Sequence, residues 1–412
     1  MPNLDGLQEI KERIRSSIAW NSDRGFVPYS GCNRVCSEFA SILKMADDKL
    51  QSEDYQRAFD IYIIVFLETV KLASHADDSG GGCSDIVHYC IEQIDEVCRR
   101  VSGLDTKHYL DTILKTVKNK AFKGWEEWAY RLLKSVVYFI DDDKQAKKIY
   151  DLFPVLGQMY DGDDYPEKLL ITRSIIERVE GKEAADRYLM KNIHIPELRM
   201  IAIENAMAEK NFALVEKLCQ EAIKREIHGP FYQRKPWAYY LEQIYSETGN
   251  SEELLTVLRY ILFSGDTAYF QKLKTYYISH GTWEIEQEKL WPELPGKIGI
   301  QYYVDLLFQE NELKRLLEVV KSFESYIEYY GKQLAAEYPD EVHRIFEEYI
   351  LKEAKQATDR GKYKRVCHLL KNFAEANGKE QALILAERLI EMYPRRPAML
   401  DELERLKKKL NK

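Results

Sequence analysis

The chain predicts an all-α fold, a right-handed α-solenoid of antiparallel helix pairs, on three observations. The first is an apolar spacing of three, four and three residues that keeps returning, one stripe of an α-helix. It reads Tyr55, Ala58, Tyr62, Val65, then Phe212, Val215, Cys219, Ala222, then Ser251, Leu254, Leu258, Ile261. It returns as Leu313, Leu316, Val320, Phe323 and as Tyr363, Val366, Leu370, Phe373. The second is a polar turn just before each stripe: Glu53-Asp54, Lys210-Asn211, Thr248-Gly249-Asn250, Glu310-Asn311-Glu312 and Gly361-Lys362. The third is composition. Only 20 Gly and 12 Pro occur in 412 residues, and no strand-like alternation lasts more than a few residues.

In chain order, residues 1–30 give a helix and then a loop around Asp23-Arg24-Gly25-Phe26-Val27-Pro28-Tyr29. A helix pair follows over 32–50 and 54–73. His75 to Ser84, with Gly80-Gly81-Gly82, reads as a flexible linker turn, and Asp85 as the N-cap of the next helix. Gly103 and Asp105 end that helix. Helices are predicted over 109–118, 125–139 and 144–152, the last ending near Pro154. Pro166 suits the first turn of a helix through Ile176. Breaks are predicted from His228-Gly229-Pro230 to Pro236 and from Pro292 through Pro295-Gly296 to Gly299. The first divides the chain into halves 1–227 and 228–412 of one continuous solenoid. A helix, a tight turn and a second helix with that stripe resemble tetratricopeptide repeats, in a degenerate form because the intervals between stripes are irregular.

Composition narrows the class. Hydrophobic residues at 45% and charged residues at 31% suit a folded soluble chain, read here as cytoplasmic. The longest apolar run, Ile61 to Leu67, is too short to cross a bilayer, so no membrane role is expected. The 28 tyrosines suit helix pairs, where the ring fills a groove and the hydroxyl reaches water. A net charge of −8 disfavours non-specific attraction to nucleic acid over the whole surface.

No constellation commits the chain to a reaction; no catalytic residue and no cofactor is expected. The eight histidines are scattered outside nucleophile or metalloprotease motifs, and Cys367-His368 is no catalytic pair on a helix. Metal ligands would have to come from Cys32 and Cys36, one helical turn apart, together with Cys83, His88, Cys90 and Cys98. That requires two remote segments to meet, and core thiols explain the spacing, so no metal is expected. Asp161-Gly162-Asp163-Asp164 lacks the later ligands of a calcium loop and reads as a solvated turn.

A basic–aromatic patch is the one candidate nucleic-acid site. It comprises Lys115, Lys118, Lys120, Lys123, Arg131 and Lys134, beside Phe122, Trp125 and Trp128. The competing reading is a solvated face over a core anchored by Trp125, Trp128 and Leu132.

Three strings carry a further resemblance. They are Ile18-Ala19-Trp20 with Arg24 to Tyr29, then Phe122-x-Gly124-Trp125-x-x-Trp128 with Tyr130 to Leu133, then Tyr393-Pro394-Arg395-Arg396-Pro397 through Leu403. Their order resembles the tetratricopeptide-like region that follows the finger in bacterial SWIM zinc-finger proteins. The finger's Cys-x-Cys and Cys-x-His pairs do not occur here, so the resemblance implies a finger-less relative or a fragment and transfers no zinc ligand. It implies a DNA-related pathway through a helicase-like ATPase. The function expected is a non-catalytic scaffold that binds a protein or peptide partner in its groove, with a nucleic-acid accessory role as the alternative.

The packing expectation covers Tyr55, Ala58, Tyr62, Phe212, Val215, Cys219, Ala222, Leu254, Leu258, Leu316, Val320, Tyr363, Val366 and Leu370. Ala58→Arg should therefore force a charge into a helix contact and lower the thermal midpoint sharply. A melting curve that matches the parent chain would contradict the assignment.

Overall fold

A computed structural model describes residues 4–103, 106–225 and 231–411, with the side chains of 4, 5 and 231 left aside. Among the described residues the fold is all-α; no strand forms, and the only β-type pairings are two isolated bridges. The chain falls into two compact units, Met1–Leu218 and Cys219–Lys412. Their boundary lies within the helix Phe212–Arg225. The predicted division at 227/228, the predicted stop at Asp105 and the residues 228–230 lie outside the described residues.

The first unit begins with α1 (Leu4–Asn21), α2 (Tyr29–Gln51), α3 (Tyr55–Ala73) and α4 (Gly82–Arg100), each packed on its predecessor. It continues with α5 (Lys107–Thr116), α6 (Glu126–Lys134), α7 (Asp143–Tyr150) and α8 (Phe153–Leu156). Three more helices follow, Pro166–Val179, Lys182–Lys191 and Pro196–Ala208. In the second unit, sequential neighbours again pack together. Examples are Phe231–Thr248 on Ser251–Phe263, and Ile300–Gln309 on Leu313–Ser322.

One connection recurs in both units. Glu53, Lys210, Gly249, Gly281 and Asn311 all adopt left-handed backbone, with φ of 61°, 55°, 69°, 66° and 58°. The next helix starts two residues later, at Tyr55, Phe212, Ser251, Trp283 and Leu313. The intervening residue donates its N–H to the carbonyl five residues back: Asp54 to Lys49, Asn211 to Ala206, Asn250 to Tyr245, Thr282 to Tyr277 and Glu312 to Leu307, all at 2.8–3.0 Å. This is the 6→1 bond of a Schellman cap. The same residue is the N-cap of the next helix. Asp54 Oδ1 accepts from the Arg57 N–H, and Asn211 Oδ1 from the Leu214 N–H. One residue thus closes one helix and opens the next, so consecutive helices run antiparallel.

The stripes begin on the first residue of the helix after this turn and lead inward. Ala58, Tyr62, Val215, Cys219, Ala222, Leu258, Leu316, Val320, Tyr363, Val366 and Leu370 are buried. Tyr55, Phe212 and Leu254 are half-buried. Phe323 is 49% exposed, because the helix ends at Ser322 and Phe323 turns away as its C-cap. The fifth stripe is set differently. Gly361-Lys362 is not a turn: the helix starts at Arg360, and Asp359 caps it by accepting the Lys362 N–H at 3.0 Å.

Proline misleads the sequence reading. Trp283–Ile298 runs unbroken through Pro292 and Pro295 and stops at Gly299, where φ is 83°. Each interior proline costs about 3 kcal/mol. Leu290, Trp291, Leu294 and Ile298 are buried around them, at about 1.5–3 kcal/mol each, which holds the helix together. Pro236 likewise lies inside Phe231–Thr248, beside buried Trp237 and Ala238. Pro154 does not end a helix but sits in the first turn of α8, where its missing N–H is not needed.

Tyrosine hydroxyls are not simply directed at water. Tyr62 donates to Asp47 at 2.6 Å, Tyr269 to Glu242 at 2.8 Å and Tyr330 to Asp305 at 2.7 Å. Burial and the nearby carboxylate together push all three phenols far above their ordinary range. Each ring therefore fills an inter-helix groove and fastens its hydroxyl to a carboxylate of an earlier helix.

The turn geometry gives a test free of packing. No atom lies within 4 Å of a Cβ built on Gly249, so Gly249→Ala should cost about 1 kcal/mol through φ alone. Lys210→Gly and Asn311→Gly should be neutral or stabilising, against the usual cost of glycine. Urea titrations check both, and a neutral Gly249→Ala would contradict the assignment.

Candidate functional site

The basic–aromatic candidate separates into a buried floor and exposed cations. Trp125 is the N-cap of α6 and is half-buried; Trp128 and Leu132 are buried. The two indoles stack on each other at 4.2 Å with 7° between their planes. Phe122 is buried against Phe66. Trp128 and Phe122 are therefore used in packing, and one face of Trp125 is taken up by the stack on Trp128.

The lysines remain outside. Lys118, Lys120 and Lys123 line a cleft of about 390 Å³ with Glu126 and Val155. A hollow of about 580 Å³ shares Lys118 and Val155 and adds Lys115, Lys148 and Asp151. A third, of about 400 Å³, shares Lys115 and Asp111 and adds Lys107 and His108. Shared walls make these one band over α5 to α8. Lys115, Lys118, Lys120, Lys123 and Lys148 are exposed, and among the described residues none forms an ion pair. Lys148 was not part of the sequence patch; it comes from α7, which only the fold brings alongside. Arg131 leaves the patch, because it pairs with Glu127 at 2.7 Å and with Glu167 at 3.5 Å. Lys134 is exposed but lines none of these three clefts.

The acidic turn is engaged locally. Asp164 pairs with Lys168 at 2.7 Å, and Asp161 accepts the Asp163 N–H at 3.1 Å. The Lys168 ammonium holds the Asp164 carboxyl below its usual range.

The cysteines are arranged in a way the spacing does not show. Cys32 and Cys36 lie on successive turns of α2, and Cys83 is the second residue of α4. All three are buried, and their sulfurs lie within 4.8 Å of one another. Cys32 Sγ is 3.8 Å from Cys83 Sγ and 3.8 Å from Asp78 Oδ1. Asp78 Oδ1 also accepts the Cys83 N–H at 2.9 Å. His88 and Cys98 are not in this cluster, and Cys90 is a separate buried thiol. Burial pushes the Cys32 thiol up to about 12. Hydrogen bonding to Cys36 drives Cys83 higher still and holds Cys36 below its ordinary value.

The loop between α3 and α4 is not a free linker. Val27 donates its N–H to the His75 carbonyl at 2.9 Å and accepts from the Asp77 N–H at 2.8 Å, which ties the two loops together. The N-cap of α4 is Gly81, with φ of 76°, and not Asp85, which falls in the first turn. A Cβ on Gly82 would come within 3.1 Å of Cys36 Sγ, and one on Gly80 within 3.1 Å of the Tyr29 ring. The three glycines thus let the loop close over the cysteines. The sequence signal was available in Asp78, Gly82 and Cys83 together, but not their meeting with α2.

No family model matches the chain, and no curated protein matches it. Among solved structures it is similar to one described as a circular tandem repeat protein with novel repeat topology and enhanced subunit contact surfaces. The identity is 16% over 98% of this chain and 94% of that one, with a TM-score of 0.24. Among the described residues no helix is long and apolar enough to cross a membrane.

The division into floor and rim has a direct consequence. Trp128→Ala should destabilise the chain by about 3–5 kcal/mol, whereas Lys118→Ala should stay within about 0.5 kcal/mol. Denaturant unfolding followed by circular dichroism measures both; equal effects would contradict the division.

Proposed function

We propose that the chain is a non-catalytic helical-repeat scaffold that binds an acidic segment of a protein partner along the lysine-lined band of α5 to α8. The observation that carries this reading is the set of five lysines without ion pairs on shared cleft walls. Other cations of the same unit are matched locally, as in Arg99 and Arg100 on Glu96 or Arg178 on Asp141. Lysines such as Lys44 and Lys191 are exposed without an ion pair among the described residues but line none of these clefts. A local surplus of positive charge in a chain of net charge −8 steers a negatively charged ligand to one place. Clefts with exposed Val155 and half-buried Leu114 also offer apolar contact between the cations.

A second reading uses the same lysines for a nucleic-acid backbone. The resemblance to SWIM-associated helical regions supports it, and the packed Trp125–Trp128 pair counts against base stacking.

Fluorescence anisotropy separates the readings. A labelled Asp/Glu-rich peptide and labelled single-stranded and duplex DNA are titrated with the chain and with a Lys118→Glu, Lys120→Glu, Lys123→Glu variant. The proposal expects salt-dependent peptide binding that the variant loses, with weaker DNA binding. Tight DNA binding lost in the variant would install the second reading, and no peptide binding would refute the first.

A further inference from the structure

We infer that Cys32, Cys36 and Cys83 hold one zinc ion, with the Asp78 carboxylate at the fourth position. The three sulfurs converge from two turns of α2 and the start of α4, and the loop after α3 brings Asp78 Oδ1 to 3.8 Å from one of them, Cys32 Sγ. Zinc–sulfur bonds of about 2.3 Å in a tetrahedron put the sulfurs about 3.8 Å apart. Cys32 and Cys83 are at that distance, 3.8 Å, and the remaining pairs lie within 4.8 Å. A disulfide would need about 2.05 Å, and the cysteines are free thiols. Sulfurs this close converge on one ion rather than on the separate irons of a cluster.

The carboxylate decides the metal class. A copper(I) site selects sulfur alone, whereas zinc accepts three thiolates and one oxygen. Asp78 Oδ1 is 3.8 Å from Cys32 Sγ, close to the spacing of about 3.5 Å for sulfur and oxygen on one tetrahedral zinc. The Cys83 N–H fixes this carboxylate in place. Gly82 keeps the space open, because a Cβ there would press on Cys36 Sγ at 3.1 Å. The half-buried Asp78 gives the ion a way in from solvent. As the ion binds, the thiols release their protons to water. The result is a clasp that fastens the loop between α3 and α4 to α2, independent of any partner bound on the lysine band.

The test uses the full chain, expressed with zinc supplied and purified under reducing conditions without chelator. Elemental analysis should find about one zinc per chain. After chelation the melting temperature should fall, and cobalt(II) titration should produce the intense visible bands of tetrahedral thiolate coordination. Cys36→Ser and Cys83→Ser should lose the metal, Asp78→Asn should bind about 10–100-fold more weakly, and Cys219→Ser should keep it. Far-UV circular dichroism shows which variants fold; if a ligand variant does not, the cobalt spectrum of the parent chain decides. A folded chain without zinc or cobalt bands, or bound zinc that survives Cys36→Ser, overturns the inference.

Discussion

The rest of the structure depends on one backbone device, the left-handed residue that ends a helix two positions before the next begins. Without it the terminal carbonyls of the five helices it closes would need other partners, and the helices that follow them would have no fixed direction. With it, Asp54, Asn211, Asn250, Thr282 and Glu312 each close one helix with their N–H and start another. The geometry tolerates Glu53, Lys210 and Asn311 at φ near 60°, a conformation that side chains other than glycine adopt at a cost. Burial of the stripe that follows offsets that cost: Val215, Cys219 and Ala222 after Lys210, Leu316 and Val320 after Asn311. Turn and stripe are therefore one unit of design, in which the turn sets the phase and the stripe supplies the free energy.

Polar groups are treated differently in the interior and at the rim. Inside, tyrosine hydroxyls are matched to carboxylates, as in Tyr62 with Asp47 or Tyr330 with Asp305, which avoids an unpaired group between helices. Across helix surfaces, arginine and lysine reach carboxylates of neighbouring helices, for example Arg259 to Glu293 and Lys352 to Glu324. Among the described residues Lys115, Lys118, Lys120, Lys123 and Lys148 form no such pair, and three of the clefts over α5 to α8 are lined by them, which is the ground for proposing that band as the binding surface.

What the sequence revealed follows from range. The stripes and four of the five predicted turns are local patterns, and α-helical periodicity reads them directly. The turn at Gly281 escaped because the helix after it carries Glu284 and Glu286 in its first turn, hiding the apolar positions Leu290 and Leu294. Pro292, Pro295 and Pro236 look like breaks in the sequence because the local penalty is visible there and the burial that offsets it is not. The cysteine cluster was illegible for a deeper reason. Cys32 and Cys83 are separated by all of α3, and they meet through the packing of α4 on α2 and the pairing of Val27 with the 75–77 segment. Similarly, Arg131 looked like part of a basic patch until Glu167, from another helix, was placed beside it.

Amide hydrogen exchange tests the shared-cap turn most directly. If the account is right, the N–H groups of Asp54, Asn211, Asn250, Thr282 and Glu312 exchange slowly, at rates close to those of the helices they close, although they sit in connections of two or three residues. Exchange at the rate of open loop amides would show that these bonds do not hold the helices in register, and would contradict the central claim.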